Sequence, residues 1–353
     1  MNSSTSNSKI RPDGRTPLRR TTGRKSHKRQ VWRANAGISG FIVLIILLEV
    51  FLFRNLYFYG LSPGNIGQLG ELKASFAHAE HEQIKVAIFG DSQSMDALRP
   101  ELLAEQSSYE QAQLFNFSIS GGSAYDLEQV YQQYASALTE LESAIVVVGE
   151  HQFNESRTVE DIKFKYFAGL RDRLQVMNRD NYGELLLGYV FKSYGMRTEW
   201  TMMIDKYQAG ELRSEVPVHA GGLPPVTWSP RQSRTEEYAQ ETADRWFEHF
   251  EMGGLRSAGF ASLIQDLREQ DIDVTVIQLP RHEWFEQAIR DNYATEQQQY
   301  RQFLQQVTDQ YGAKLWLMSN EGLALETHFR DTNHVNEEGA RLVSRQVAER
   351  LLR

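Results

Sequence analysis

Five short apolar runs, each set off by stretches with helical periodicity, constrain the fold of this chain more than any other feature. They read KVAIF at 85–89, QLFNFS at 113–118, AIVVV at 144–148, DVTVIQL at 273–279 and KLWLM at 314–318. Several are continuously apolar and β-branched, as strands covered on both faces are. Helical patterns occupy 124–138, 259–269, 295–311 and 335–352. In the last of these, Asn336 stands at an N-cap position and Val343, Val347 and Leu351 share one face. Strand alternating with helix implies a parallel, doubly wound sheet with right-handed crossovers.

A second constraint lies near the N-terminus. Residues 36–53 read AGISGFIVLIILLEVFLF, in which Glu49 is the one charge. At helical rise such a run is about 27 Å long, close to the hydrocarbon thickness of a bilayer. Trp32 precedes it and Tyr57, Phe58 and Tyr59 follow, in the manner of interfacial aromatic belts. Residues 1–33 carry ten Lys or Arg against Asp13 alone, whereas residues 54–353 carry 28 basic and 44 acidic side chains. The positive-inside rule then puts the tail in the cytoplasm and the rest beyond the cytoplasmic membrane. We expect a disordered basic tail over 1–35, an uncleaved signal anchor over 36–59, and a linker over 60–82 marked by Gly60, Pro63, Gly64, Gly67 and Gly70. Topology accounts for the basic tail, and no nucleic-acid-binding module is visible. With no cysteine in the chain, disulfides, thiolate metal sites and a cysteine nucleophile are excluded.

Roughly 120 residues separate the third and fourth apolar runs, far more than one crossover needs. The segment is rich in aromatics and contains GGLPPVTWSP at 221–230, a loop signal. It reads as a mainly helical insertion, at about 152–255, either capping the active edge of the sheet or packing as a further layer.

The first apolar run leads directly into Gly90-Asp91-Ser92, at a strand's carboxyl end, where open α/β sheets bind ligands. A serine there can be served by the N–H groups of the following turn. It needs a base, and the base needs an orienting group. Asp331 and His334, three apart just before the last helical pattern, are of the right types. Ser94 is a second serine beside the turn. His328, Asp331 and His334 lack the further ligand a metal centre needs, so neither metal nor cofactor is expected. Arg281 and His282, directly after the fourth run, are expected on the substrate rim.

Gly90-Asp91-Ser92, together with Asp331-x-x-His334 followed by Asn336 and Gly339, resembles the SGNH/GDSL hydrolase superfamily. The resemblance covers about 85–150 and 272–353. It implies a flavodoxin-like three-layer α/β/α sandwich, with Ser92 as nucleophile, His334 as general base and Asp331 as its orienter. Ser120-Gly121-Gly122-Ser123 matches the block whose glycine N–H joins that of Ser92 in the oxyanion hole, leaving Gly121 and Gly122 both open. The third block, Gly-x-Asn-Asp in the family, is here Gly149 followed by Glu150-His151-Gln152-Phe153-Asn154. His151, Gln152 or Asn154 would supply the third donor. A membrane anchor with a large insertion is similar to the alginate O-acetylation proteins and the teichoic acid D-alanylation protein, which work beside a multi-pass membrane-bound O-acyltransferase. The resemblance thus implies an extracytoplasmic serine O-acyltransferase or O-acyl esterase acting on an acylated cell-envelope or exported glycan. The irregular third block leaves open a catalytically silent domain that binds glycan or scaffolds such an acyltransferase.

Overall fold

A computed structural model of the protein describes residues 23–224 and 234–352. The expected basic tail falls largely on residues 1–22, outside the described residues. From Gly23 onward the backbone is helical, not disordered, through Leu48. The chain divides into two units at this point, residues 1–48 and 49–353. The window Asn35–Phe53 has a mean hydropathy of 2.6 and is long and apolar enough to cross a membrane.

The second unit is built on a five-stranded, wholly parallel sheet in the order β2-β1-β3-β4-β5. The strands are β1 (Val86–Phe89), β2 (Leu114–Asn116), β3 (Ser143–Val147), β4 (Asp273–Gln278) and β5 (Lys314–Leu317). All five apolar runs are therefore strands, and the order is that of the flavodoxin-like doubly wound fold. Each central strand is buried on both faces because it feeds two cores in alternation. Val86 and Ile88 of β1 enter the core under helix Glu337–Leu351, whereas Ala87 and Phe89 enter the core under helices Ala124–Tyr134 and Leu255–Glu269. Ile145 and Val147 alternate with Ala144 and Val146 on β3 in the same way. Asn336 caps the last helix as expected, its Oδ1 accepting from Gly339 N at 3.0 Å.

Two expectations about the N-terminal boundary are corrected. The anchor's outer end is not at residue 59: Leu56–Tyr59 is a short helix, and Leu56 and Tyr59 are buried in the main core. Nor is 60–82 a linker. Asn65–His78 is a helix whose Ile66, Leu69, Leu72 and Phe76 join that core. The glycines there serve close approach, not flexibility. A Cβ on Gly70 would lie 2.5 Å from both Gly60 N and Leu56 O, so the two segments touch backbone to backbone.

Between β3 and β4 the chain forms short helices, including Ile162–Phe167, Leu170–Val176, Tyr182–Val190, Arg197–Gln208 and Glu236–Phe247, before the crossover helix Leu255–Glu269 returns to the sheet. The insertion is mainly helical, as expected. Of the loop at 221–230, residues 225–230 lie outside the described residues.

Candidate active site

The loops at the carboxyl ends of β1, β2 and β3, with residues 328–336 ahead of the last helix, build the site. After β1, Asp91 caps helix Ser92–Ala97, its Oδ1 accepting from Gln93 N at 2.9 Å. That cap holds Ser92 at the first position of a helix, where the N–H has no intrahelical acceptor. Opposite, residues 328–336 form a tight loop: Phe329 and Val335 bridge antiparallel, and Asn336 N donates to His328 O at 2.9 Å. Arg330, in that loop, pairs with Asp96 of the serine helix at 2.9 Å and ties the two loops together.

Across this junction Ser92 Oγ lies 2.9 Å from His334 Nε2. His334 Nδ1 is 3.0 Å from both carboxylate oxygens of Asp331. Asp331 is fully buried, and its Oδ1 also accepts from the backbone N–H of Asn333 (3.0 Å) and His334 (2.8 Å). Those backbone bonds fix the carboxylate, which in turn fixes the imidazole. Folding brings together three residues far apart in sequence, with serine-to-imidazole and imidazole-to-carboxylate contacts at the distances a serine triad needs.

The turn after β2 distinguishes the two glycines. Gly122 N donates to Ile119 O at 2.9 Å, closing a reverse turn. Gly121 occupies the third position with φ +58°, a left-handed geometry that favours glycine. Gly122 is thus spent on the turn, while no acceptor among the described residues meets the N–H of Gly121. Buried Lys163 donates to Gly121 O at 3.0 Å and holds the turn in place.

The third block departs from expectation. With the proton on Nε2, His151 donates to Asp91 Oδ2 at 2.8 Å, while its ring lies against Trp246 with centroids 4.0 Å apart. Asn154 is committed elsewhere, donating to the carbonyls of Trp246 (3.1 Å) and Glu248 (3.0 Å). Gln152 accepts from Gly149 N at 3.0 Å, and its buried Nε2 has no partner among the described residues. Ser94 is fully buried and bonded to Ser118 Oγ at 2.8 Å, which leaves it no access to a substrate.

Of the two residues expected on the rim, Arg281 is corrected. Arg281 is 1% exposed and lies in a buried ion pair with Glu150, so it lines nothing. His282 is half-buried; its Nδ1 accepts from Trp284 N at 3.3 Å, and its backbone N–H donates to Thr332 O at 3.0 Å, steadying the triad loop. Beside His151, whose ring reaches Asp91, the insertion contributes to a cavity whose lining does not include Ser92, Asp331 or His334. This cavity, of about 340 Å³, is lined by Gly121, His151, Asp161, Trp246 and the guanidiniums of Arg157, Arg245 and Arg256. Gly121 and His151 were expected at the site from sequence; Asp161, Trp246 and the three arginines were not, because no spacing links 157 or 245 to the motif at 90–92.

The Asp91–His151 pair has a measurable signature. Burial pushes the Asp91 carboxyl up, but the hydrogen bond and electrostatic pull of His151 outweigh it and hold the group below the usual carboxylate range. A carboxyl depressed on folding stabilises fully above its unfolded pKa, and the gain is lost as pH falls through the folded value. Asp91→Asn is expected to lower unfolding free energy at neutral pH by about 1–3 kcal/mol. Denaturant unfolding at pH 7 and at about pH 2.5, below the unfolded value of an aspartate, should show a smaller loss on acidification in the variant. Equal losses in both proteins would rule out this pair as a source of acid sensitivity.

No protein-family model matches the chain, and no curated protein matches its sequence significantly.

Proposed function

We propose that the protein is a membrane-anchored, extracytoplasmic serine acyl-ester enzyme of SGNH type. It would transfer or hydrolyse an O-acyl group on a cell-envelope or exported glycan, with the apolar segment 35–53 as its anchor. The observation that carries this reading is the Ser92–His334–Asp331 array at hydrogen-bond distances. His334 Nε2 takes the proton from Ser92 Oγ, which attacks the ester carbonyl. The resulting oxyanion is met by the N–H groups of Ser92 and Gly121, each such donor contributing about 3 kcal/mol in the transition state. The imidazolium then protonates the leaving alkoxide, and the acyl group stays on Ser92. Water or a sugar hydroxyl, deprotonated by His334, attacks the acyl-serine; the proton returns to Ser92 Oγ as the product leaves.

The neighbouring cavity supports a glycan as substrate. Half-buried Trp246 offers an apolar ring face, and polar groups surround it, as in sites that bind sugars or other amphipathic ligands. Arg157 is paired with Glu248 and Arg256 lies 3.8 Å from Asp161, which leaves the guanidinium of Arg245 to favour an acceptor or donor carrying negative charge. Exposed Arg245, bonded among the described residues only to Thr242 Oγ1 in its own helix, at 3.1 Å, is placed to meet such a group. Arg245→Gln should raise KM for an anionic substrate about tenfold with kcat nearly unchanged, the pattern of lost uniform binding. An unchanged KM would detach the arginine from the substrate.

The reading is tested by treating the full-length protein with a fluorophosphonate probe. Labelling of the wild type, abolished by Ser92→Ala, is the expected result. An unlabelled, folded wild type that binds glycan or a membrane acyltransferase would replace the enzyme with a silent scaffold. Acyl transfer onto an added glycan, against release into water, separates transferase from esterase.

A further inference from the structure

A charged residue inside a membrane-crossing run is costly unless a partner meets it. Glu49 is 7% exposed, and its carboxylate accepts from the backbone N–H of Lys192 and, at 3.2 Å, of Ser193. Five residues on, Arg54 Nη2 donates to the carbonyls of Tyr189 (3.1 Å) and Val190 (3.0 Å). Phe53 meets Trp200 edge-on, with centroids 4.5 Å apart. Residues 49–54 therefore grip the junction between helix Tyr182–Val190 and the short helix Lys192–Gly195, Arg54 on the last carbonyls of the first and Glu49 on the first N–H groups of the second.

That helix has two unlike faces. Leu185 and Gly188 are buried, and Glu184 is held by Lys165 at 3.2 Å and Arg197 at 3.3 Å. On the other side Tyr182 (57% exposed), Leu186, Leu187 (47%) and Val190 (53%), with Phe191 just beyond, are bare. Apolar residues bare together at helical spacing mark an interaction surface, not an ordinary exterior. The grip determines what covers it. Val190 is one hydrogen bond from Arg54, so the outward face of the helix shares the depth of the outer end of the apolar run. Tyrosines beside aliphatic residues are the composition of a membrane–water interface.

We infer that the outward face of helix Tyr182–Val190 lies in the headgroup–acyl boundary of the bilayer leaflet where the anchor emerges, making the insertion a monotopic membrane contact. This rests on the anchor reading proposed above. A helix lying in the interface buries its apolar side about 5–10 Å into that boundary. The enzyme would then be held at the membrane by two contacts, one spanning and one lying flat.

Because the chain has no cysteine, single-cysteine probes need no background removal. Leu187→Cys and Val190→Cys, labelled with an environment-sensitive nitrobenzoxadiazole, are placed in the full chain reconstituted into phosphatidylcholine–phosphatidylglycerol vesicles. Ile45→Cys reports on the span, and Gln302→Cys reports an exposed position on helix Ala294–Tyr311. Lipids with a nitroxide on a shallow acyl carbon should remove about half the emission at 187 and 190 and little at 302, as expected for an interfacial helix. Quenching at 45 with 187 and 190 behaving like 302 would overturn the inference and leave the anchor standing. No quenching at 45 would overturn the anchor reading, and the inference with it. Probes at 187 and 190 shielded from both nitroxide lipid and aqueous iodide would give the face to a second copy of the chain and overturn the lipid contact.

Discussion

Ser92→Ala and His334→Ala are each expected to cut ester turnover by about 10⁶-fold, with the double variant scarcely worse than either single. The expectation follows from a shared step. Ser92 Oγ is a poor nucleophile until His334 Nε2, 2.9 Å away, accepts its proton, so losing either partner loses the same event. Asp331→Asn should cost about 10⁴-fold while preserving the fold. Its amide oxygen can still accept from the backbone N–H of Asn333 and His334, but the amide no longer holds the imidazole in its working tautomer. Ser94→Ala supplies the contrast: it removes a buried bond to Ser118 and should lower stability more than rate. Steady-state kinetics with an acyl ester, beside unfolding curves for each variant, checks all four. Wild-type turnover in Ser92→Ala would end the assignment of the nucleophile.

The sheet and the triad were both legible because each is written in local pattern. The runs at 85–89 and 144–148 are apolar at every position since both faces of β1 and β3 are covered, and this is visible without knowing what covers them. Asp331 and His334 lie within one turn of each other, and Asn336 announces the helix that follows. What failed to show was of two kinds. The glycines at 60–70 resemble a flexible linker, yet Gly70 is small because another backbone crosses it, which composition does not reveal. The contacts of His151 and Arg281 depend on partners 60 and 131 residues away in sequence, Asp91 and Glu150. A histidine and an arginine after strand ends look solvent-facing until the partner is known. The arginine-lined cavity was hidden for the same reason, since only folding of the insertion assembles it.

Glu150→Gln should destabilise the protein by about 2–3 kcal/mol, less than the about 3–5 kcal/mol for a buried charge left wholly uncompensated, because Arg281 retains Glu286. Glu150 is fully buried, and its carboxylate meets Arg281 Nη1 at 2.5 Å and Nη2 at 3.2 Å, with Gln297 donating at 3.4 Å. Burial raises the Glu150 carboxyl, but the guanidinium overrides it and holds the group below the usual range. The pair therefore stabilises fully at neutral pH, and its contribution disappears as pH falls through the depressed folded value. With Gln at 150, Arg281 keeps only Glu286, at 2.7 Å. Replacing both members, Glu150→Leu with Arg281→Met, should recover at least half of the loss, because an apolar pair needs no compensation. Denaturant midpoints of the wild type, the single variant and the double variant decide this; a single variant as stable as the wild type would reject the pair as a structural element. The pair also reaches the cavity. Arg281 lies 5.8 Å from the Trp246 ring centroid, and His151, the next residue after Glu150, lies against the same ring at a tilt of 33°. Breaking the pair should thus loosen the wall facing the substrate as well as the join between β3 and β4, and KM should rise in the single variant even at temperatures where it remains folded.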